Sequence, residues 1–141
     1  LIMIYIDTGA FLARHLSNDQ YHTKAKDYWR AIRMRNEACA TSNFVLDGTF
    51  TLLGRRAGYH FAAQRARNIY ASDSLQIFRP TRKEELKAID FFEKYSDHRL
   101  SFTDCISFVL MKTHKIKRVF TFDLHFQFLG FQISPKAKTM I

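Results

Sequence analysis

Short apolar runs alternate with amphipathic helical stretches along the whole of this chain, and that alternation leaves few folds open. Met3–Ile6, Ala38–Ser42, Leu75–Phe78, Val119–Phe122 and Phe131–Ile133 read as strands. Between them, Thr8–Leu16, Gln20–Asn36, Phe44–Gly58, Tyr59–Ala71, Thr81–Tyr95 and Thr103–His114 read as helices. In the longest of these, Ala25, Tyr28, Trp29 and Ile32 recur at helical spacing with Lys and Arg between them. Ser42 or Asn43 is placed to start the third helix and Gly58 to stop it, and Thr81 and Glu84 have the spacing of a capping box. Strands separated by helices cannot pair as hairpins. They form a parallel sheet with helices on both faces, an α/β architecture. A chain of 141 residues can bury one proper core. With no linker, internal repeat or low-complexity stretch, residues 3–141 are expected to form a single domain that ends in a basic tail.

The acids at the ends of the apolar runs carry the chemistry. Asp7 closes the first run, Asp123 follows the fourth, and Asp104 opens the helix between Ser101 and the basic turn that precedes that fourth run. A strand that ends in Asp projects a carboxylate from the carboxyl edge of the sheet, where open α/β sheets bind ligands. A helix N-terminus also favours an acid. Carboxylates so gathered suit a hard divalent cation such as Mg²⁺. Around them the chain is basic: 22 Lys and Arg against 13 Asp and Glu give a net charge of +9. That balance points to an anionic partner: nucleic acid, an acidic protein or a membrane surface.

Other features narrow the reading by exclusion. Cys39 and Cys105 stand alone with no CxxC, and read as reduced, buried thiols of a cytoplasmic protein. His15, His22, His60, His98, His114 and His125 are scattered without zinc spacing; His125 reads as a surface or helix-start residue, and Asp97 as a turn residue. No apolar run approaches the ~20 residues that cross a bilayer, and neither a signal peptide nor a Walker or GxGxxG loop is visible. Trp29 and most of the 14 Phe residues fall on strands or inward helix faces and read as core.

Together, Ile4-Tyr5-Ile6-Asp7-Thr8-Gly9-Ala10, Thr41-Ser42-Asn43-Phe44-Val45-Leu46-Asp47, Leu100-Ser101-Phe102-Thr103-Asp104 and Phe120-Thr121-Phe122-Asp123 resemble the motifs of PIN-domain ribonucleases, in order and at fitting separations. The nearest kind is the VapC-type toxin of prokaryotic toxin–antitoxin pairs. The resemblance implies a three-layer α/β/α fold with a five-stranded parallel sheet in the order 3-2-1-4-5. It further implies a metal-dependent endoribonuclease, the toxin of a type II toxin–antitoxin pair. Asp7, Asp104 and Asp123 would be its catalytic carboxylates and would hold Mg²⁺ or Mn²⁺. Thr8, Ser42 and Thr121 are candidates to hydrogen-bond those carboxylates, with ordinary caps and turn bonds as the alternative. The implied partners are an RNA substrate, a cognate antitoxin laid over the cleft, and a second copy of the chain in a helix-built homodimer.

One position departs from the family. Its members carry Glu in the first turns of the third helix, and that place falls on Gly48 here. Gly inside a helix costs about 0.8–1 kcal/mol against Ala and offers no ligand. Asp47 is adjacent, but neighbouring helix positions point about 100° apart. The expectation is a nuclease weakened at Gly48. The alternative is a PIN-fold module that binds RNA or antitoxin without turnover.

Overall fold

The computed structural model describes residues 2–136. The end of the basic tail, and with it the end of the expected domain at 141, lies outside the described residues. Five strands, β1 (Met3–Ile6), β2 (Ala38–Ser42), β3 (Leu75–Phe78), β4 (Arg118–Phe120) and β5 (Gln132–Ser134), form one sheet in the order β3-β2-β1-β4-β5. Every neighbouring pair is parallel. The chain therefore builds outward through β2 and β3, then returns to the other side of β1. That reversal puts the switch point between β1 and β4, where ligands of open α/β sheets sit.

Helices cover both faces: α1 (Thr8–His15), α2 (His22–Met34), α3 (Asn43–Ala57), α4 (Tyr59–Tyr70), α5 (Arg82–Lys94), α6 (Phe102–Thr113) and the short α7 (His125–Phe128). Alternation along the central strands sorts them. Tyr5, fully buried, points to α6, where its hydroxyl meets Ser107 Oγ at 2.8 Å. Its neighbour Ile6 is paired in register with Phe120, whose ring packs against Trp29 and Tyr28 of α2. The two sides of β1 thus carry two separate helical layers. The central strand β1, buried over Ile4–Ile6, is apolar throughout, which is why it reads so clearly in the sequence.

Side-chain caps start three of the helices. Ser42 Oγ accepts the Val45 N–H at 3.2 Å and starts α3. Capping boxes start α5 (Thr81 with Glu84) and α6 (Ser101 with Asp104). Gly58, at φ +98°, takes the left-handed turn that ends α3 and begins α4.

Some sequence expectations shift. The fourth strand is Arg118–Phe120, not Val119–Phe122, because the chain turns out of the sheet after Thr121. Asp123 therefore stands three residues beyond the strand rather than at its end. The fifth strand is Gln132–Ser134, not Phe131–Ile133. Helix α7 and a 3-10 turn at Ser96–His98 were not foreseen; both are too short for periodicity to register. Among the described residues, no helix is long and apolar enough to cross a membrane, and both cysteines are free and buried.

Candidate active site

Asp7 is held by the sheet itself. It leaves β1 in an extended conformation, donates its backbone N–H to the Phe120 carbonyl at 3.1 Å, and so stays in line with β4 while becoming the N-cap of α1. Its side chain is nearly inaccessible, at 6 % exposure. Thr121 Oγ1 donates to Asp7 Oδ2 at 2.8 Å and accepts the Asp123 backbone N–H at 3.0 Å. One hydroxyl therefore fixes Asp7 and the turn that carries Asp123. Burial first, and the Asp104 charge second, push the Asp7 carboxyl up to about 7 from its ordinary 3.8; Asp123 adds to the rise, and the Thr121 hydrogen bond opposes it.

Asp104 reaches the same region from α6. It is the third residue of that helix; its carboxylate accepts the Ser101 N–H at 3.2 Å, and its own N–H bonds Ser101 Oγ at 3.0 Å. Burial raises its carboxyl above the ordinary range, opposed by the bonds to Ser101 and reinforced by the Asp123 charge. Asp123 is engaged at Oδ1 by the His125 backbone N–H at 2.9 Å and by the His125 ring Nδ1 at 2.8 Å. The three charges act on one another, so the acids form one electrostatic centre at the carboxyl edge of the sheet. Among the described residues, however, no group of three His, Cys, Asp or Glu side chains stands at ligating separation. Each carboxylate is turned to its local partner: Asp7 to Thr121, Asp104 to Ser101, Asp123 to His125.

The donor set still fits a hard divalent cation. It is made of carboxylate oxygens, two of them on carboxyls raised by burial and mutual repulsion, a strain that a cation relieves. Of the hydroxyls singled out from the sequence, only Thr121 bonds a carboxylate. Ser42 Oγ caps α3, and Thr8 contributes its backbone N–H to Asp7.

Gly48 lies in the second turn of α3, one turn beyond Phe44, whose ring meets Phe102 at the start of α6 with centroids 6.0 Å apart. The row Phe44–Gly48 therefore faces the end of α6 that carries Asp104. A Cβ built on Gly48 meets nothing within 4 Å, so an alanine fits there. Asp47 is exposed to solvent. We expect Gly48→Ala to stabilise the protein by about 0.5–1 kcal/mol through helix propensity alone. Urea unfolding would show it as a higher midpoint at unchanged slope, and cleavage should not change with it.

A cleft of about 780 Å³ opens beside Asp7 and Asp123. Tyr21 and Phe122 stack on its wall, 4.4 Å apart and 2° from coplanar, and His98, His125 and Phe128 line it further. Sequence reading missed His125 as a partner of Asp123; its position two residues after the acid, at the start of a helix, was the available signal. The Tyr21–Phe122 stack had no local signal, since 101 residues of chain separate the rings and only the fold joins them.

A family model described as PIN domain matches residues 4–131. The chain is 33 % identical over 135 residues to the 23S rRNA-specific endonuclease VapC20 of Mycobacterium tuberculosis, covering 95 % of this chain and all of the relative. The crystal structure of that protein, described as a Sarcin-Ricin loop cleaving toxin, superposes with a TM-score of 0.82 at 29 % identity, covering 91 % of this chain and 95 % of that one. VapBC2 of Rickettsia felis bound to a DNA fragment from its promoter matches at a TM-score of 0.70 and 10 % identity, covering 94 % and 98 % of the two chains. DNA-bound VapBC of Salmonella typhimurium matches at 0.68 and 8 %, covering 95 % and 98 %. These last two likenesses speak for the fold.

Proposed function

The chain belongs to the PIN-domain family, among its VapC-type ribonucleases, and on that footing we propose that it hydrolyses a phosphodiester bond in structured ribosomal RNA, with Mg²⁺ or Mn²⁺ held by Asp7, Asp104 and Asp123. The observation that carries this reading is the set of mutually repelling acids at the switch point of a basic protein. When bound, such an ion supplies Lewis-acid charge stabilisation and a more acidic attacking water. The chain's own residues do the rest. Thr121 fixes the Asp7 carboxylate and the Asp123 turn together, so the two acids keep one geometry. His125 orients Asp123. The stacked Tyr21 and Phe122 rings on the cleft wall offer the RNA strand a flat aromatic surface. Hydrolysis adds water across one P–O bond, leaving the hydroxyl on phosphorus and the proton on the leaving ribose oxygen.

The relative named as 23S rRNA-specific supports ribosomal RNA as the substrate class. The VapBC complexes support a cognate antitoxin as partner. A homodimer, formed through helix faces such as the exposed Leu86, Ile89 and Phe92 of α5, and a cytoplasmic location complete the proposal. The test is primer extension on 23S rRNA after incubation of this chain and of its Gly48→Glu form with Mg²⁺, Mn²⁺ or EDTA. Discrete cuts that need metal are expected. Cuts that persist in EDTA would sink the metal dependence.

A second reading has its own support. Gly48 supplies no carboxylate, and no three ligands stand at ligating separation among the described residues. A binding module without turnover predicts that neither form cuts, on naked rRNA or on ribosomes.

A further inference from the structure

At the opposite edge of the sheet the charge pattern inverts. Helix α1 starts at Asp7 and ends with Arg14 and His15, about 10 Å along its axis. There a cavity of about 260 Å³ opens between α1, α2, α4 and the first residues of β2 and β3. Arg14, Arg33 and Arg65 line it, one from each of three helices, and Asn68, Ser72 and Ser74 add polar groups. No Asp or Glu lines it, and among the described residues none of the three guanidiniums has a carboxylate within salt-bridge distance. Unpaired cations this close oppose folding unless something offsets them. Burial first, then the Arg33 and Arg65 charges, lower the Arg14 pKa. Two polar atoms here are buried without a hydrogen-bond partner: Arg65 Nε and His15 Nε2.

Two of the three guanidiniums, those of Arg14 and Arg65, are also held in place before any ligand arrives, while Arg33 is exposed to solvent. Arg14 lies over the Trp29 ring at 4.7 Å, and Arg65 lies over the Phe61 ring at 4.7 Å. Stacking of this kind fixes the plane of a guanidinium and leaves its N–H fork free to donate. Three guanidiniums lining a cavity this small, with hydroxyl and amide groups beside them, suit the tetrahedral oxygens of a phosphate.

We propose that the cavity bounded by Arg14, Arg33 and Arg65 is a phosphate-binding site, separate from the acidic centre, that takes a backbone phosphate of the RNA. The phosphate chemistry stands on this geometry alone; its assignment to RNA rests on the nuclease reading. An RNA that meets both sites crosses from the carboxyl edge of the sheet to its amino edge, a path of about 10 Å along α1.

Two measurements test the site, and neither needs cleavage. The first follows the Arg65 Nε–Hε NMR resonance of the unmodified chain during titration with inorganic phosphate at constant ionic strength. A saturable shift is expected, together with a rise in Tm that is absent in Arg33→Gln/Arg65→Gln. No shift, or equal protection of parent and variant, overturns the site. Protection by a Glu-rich peptide but not by phosphate overturns the ligand class. The second measures binding of a labelled rRNA stem-loop across salt concentrations, with the exposed pair Arg55→Gln/Arg56→Gln as control. Loss of one phosphate contact reduces the slope of log K against log salt by about 0.7 for a single strand, with about 0.9 as the value for B-form DNA. That reduction, beyond the control's, supports RNA. An unchanged slope with phosphate protection intact overturns the RNA assignment and leaves a free phosphate compound as the ligand. Failure of the nuclease reading would appear separately, as absent cleavage by the Gly48→Glu form.

Discussion

Gly48→Glu should raise metal-dependent RNA cleavage by about 100-fold or more, and Asp7→Asn added to it should abolish the gain. The argument is spatial and electrostatic. Gly48 stands one helical turn from Phe44, on the row of α3 that meets the start of α6, and a Cβ there has open space. The backbone there takes a Cβ without displacing packed atoms, on the row of α3 that faces the start of α6. A fourth carboxylate adds a ligand to a set now turned toward Thr121, Ser101 and His125. Even groups that only support metal ligands change affinity or activity by about 10- to 100-fold, so a ligand should do at least as much. Two readouts check it: the cleavage rate, and the Mn²⁺ concentration that gives half-maximal activity, which should fall. Gly48→Ala separates chemistry from helix propensity, since it fills the same backbone position without an acid. If Gly48→Glu neither cuts faster nor binds Mn²⁺ more tightly, position 48 is not part of the centre.

Metal-free, the protein should lose stability as pH rises from about 4 to about 7, relative to its Asp7→Asn form. The sign follows from proton counting. The Asp7 carboxyl stands at about 7 in the fold against an ordinary 3.8, so in that window the folded state keeps a proton that the unfolded chain releases. Raising the pH then favours unfolding. Below the window both states are protonated, and the stabilisation is complete. Above it, a buried carboxylate is left without a cation. A shift of this size corresponds to several kcal/mol, on the order of 4. Asn takes the place of the protonated acid and can still accept from Thr121, so Asp7→Asn should match the parent near pH 4 and exceed it clearly at pH 7.5 in EDTA. Urea unfolding of both proteins across that range gives the difference directly. Saturating Mg²⁺ should reverse it, because the ion stabilises only the ionised form. A parent that gains on Asp7→Asn as pH rises without metal would show that the Asp7 carboxylate has a compensating partner.

Sequence alone carried the local physics. Apolar runs a few residues long, helical periodicity, and the caps at Ser42 and Thr81 are decided within a few residues, so the alternating elements and the parallel sheet were legible. Asp7 was legible as the acid closing β1 for the same reason. The strand order came from motif resemblance, because periodicity says what an element is but not which element lies beside it. Tertiary structure decided the rest. It placed Asp123 in a turn beyond β4, held by a Thr121 hydroxyl shared with Asp7 across 114 residues of chain. It joined Tyr21 to Phe122, and brought Arg14, Arg33 and Arg65 to one cavity from three helices. Contacts between residues so distant in the chain leave no periodic trace. They exist only once the core has closed and fixed which helix ends meet.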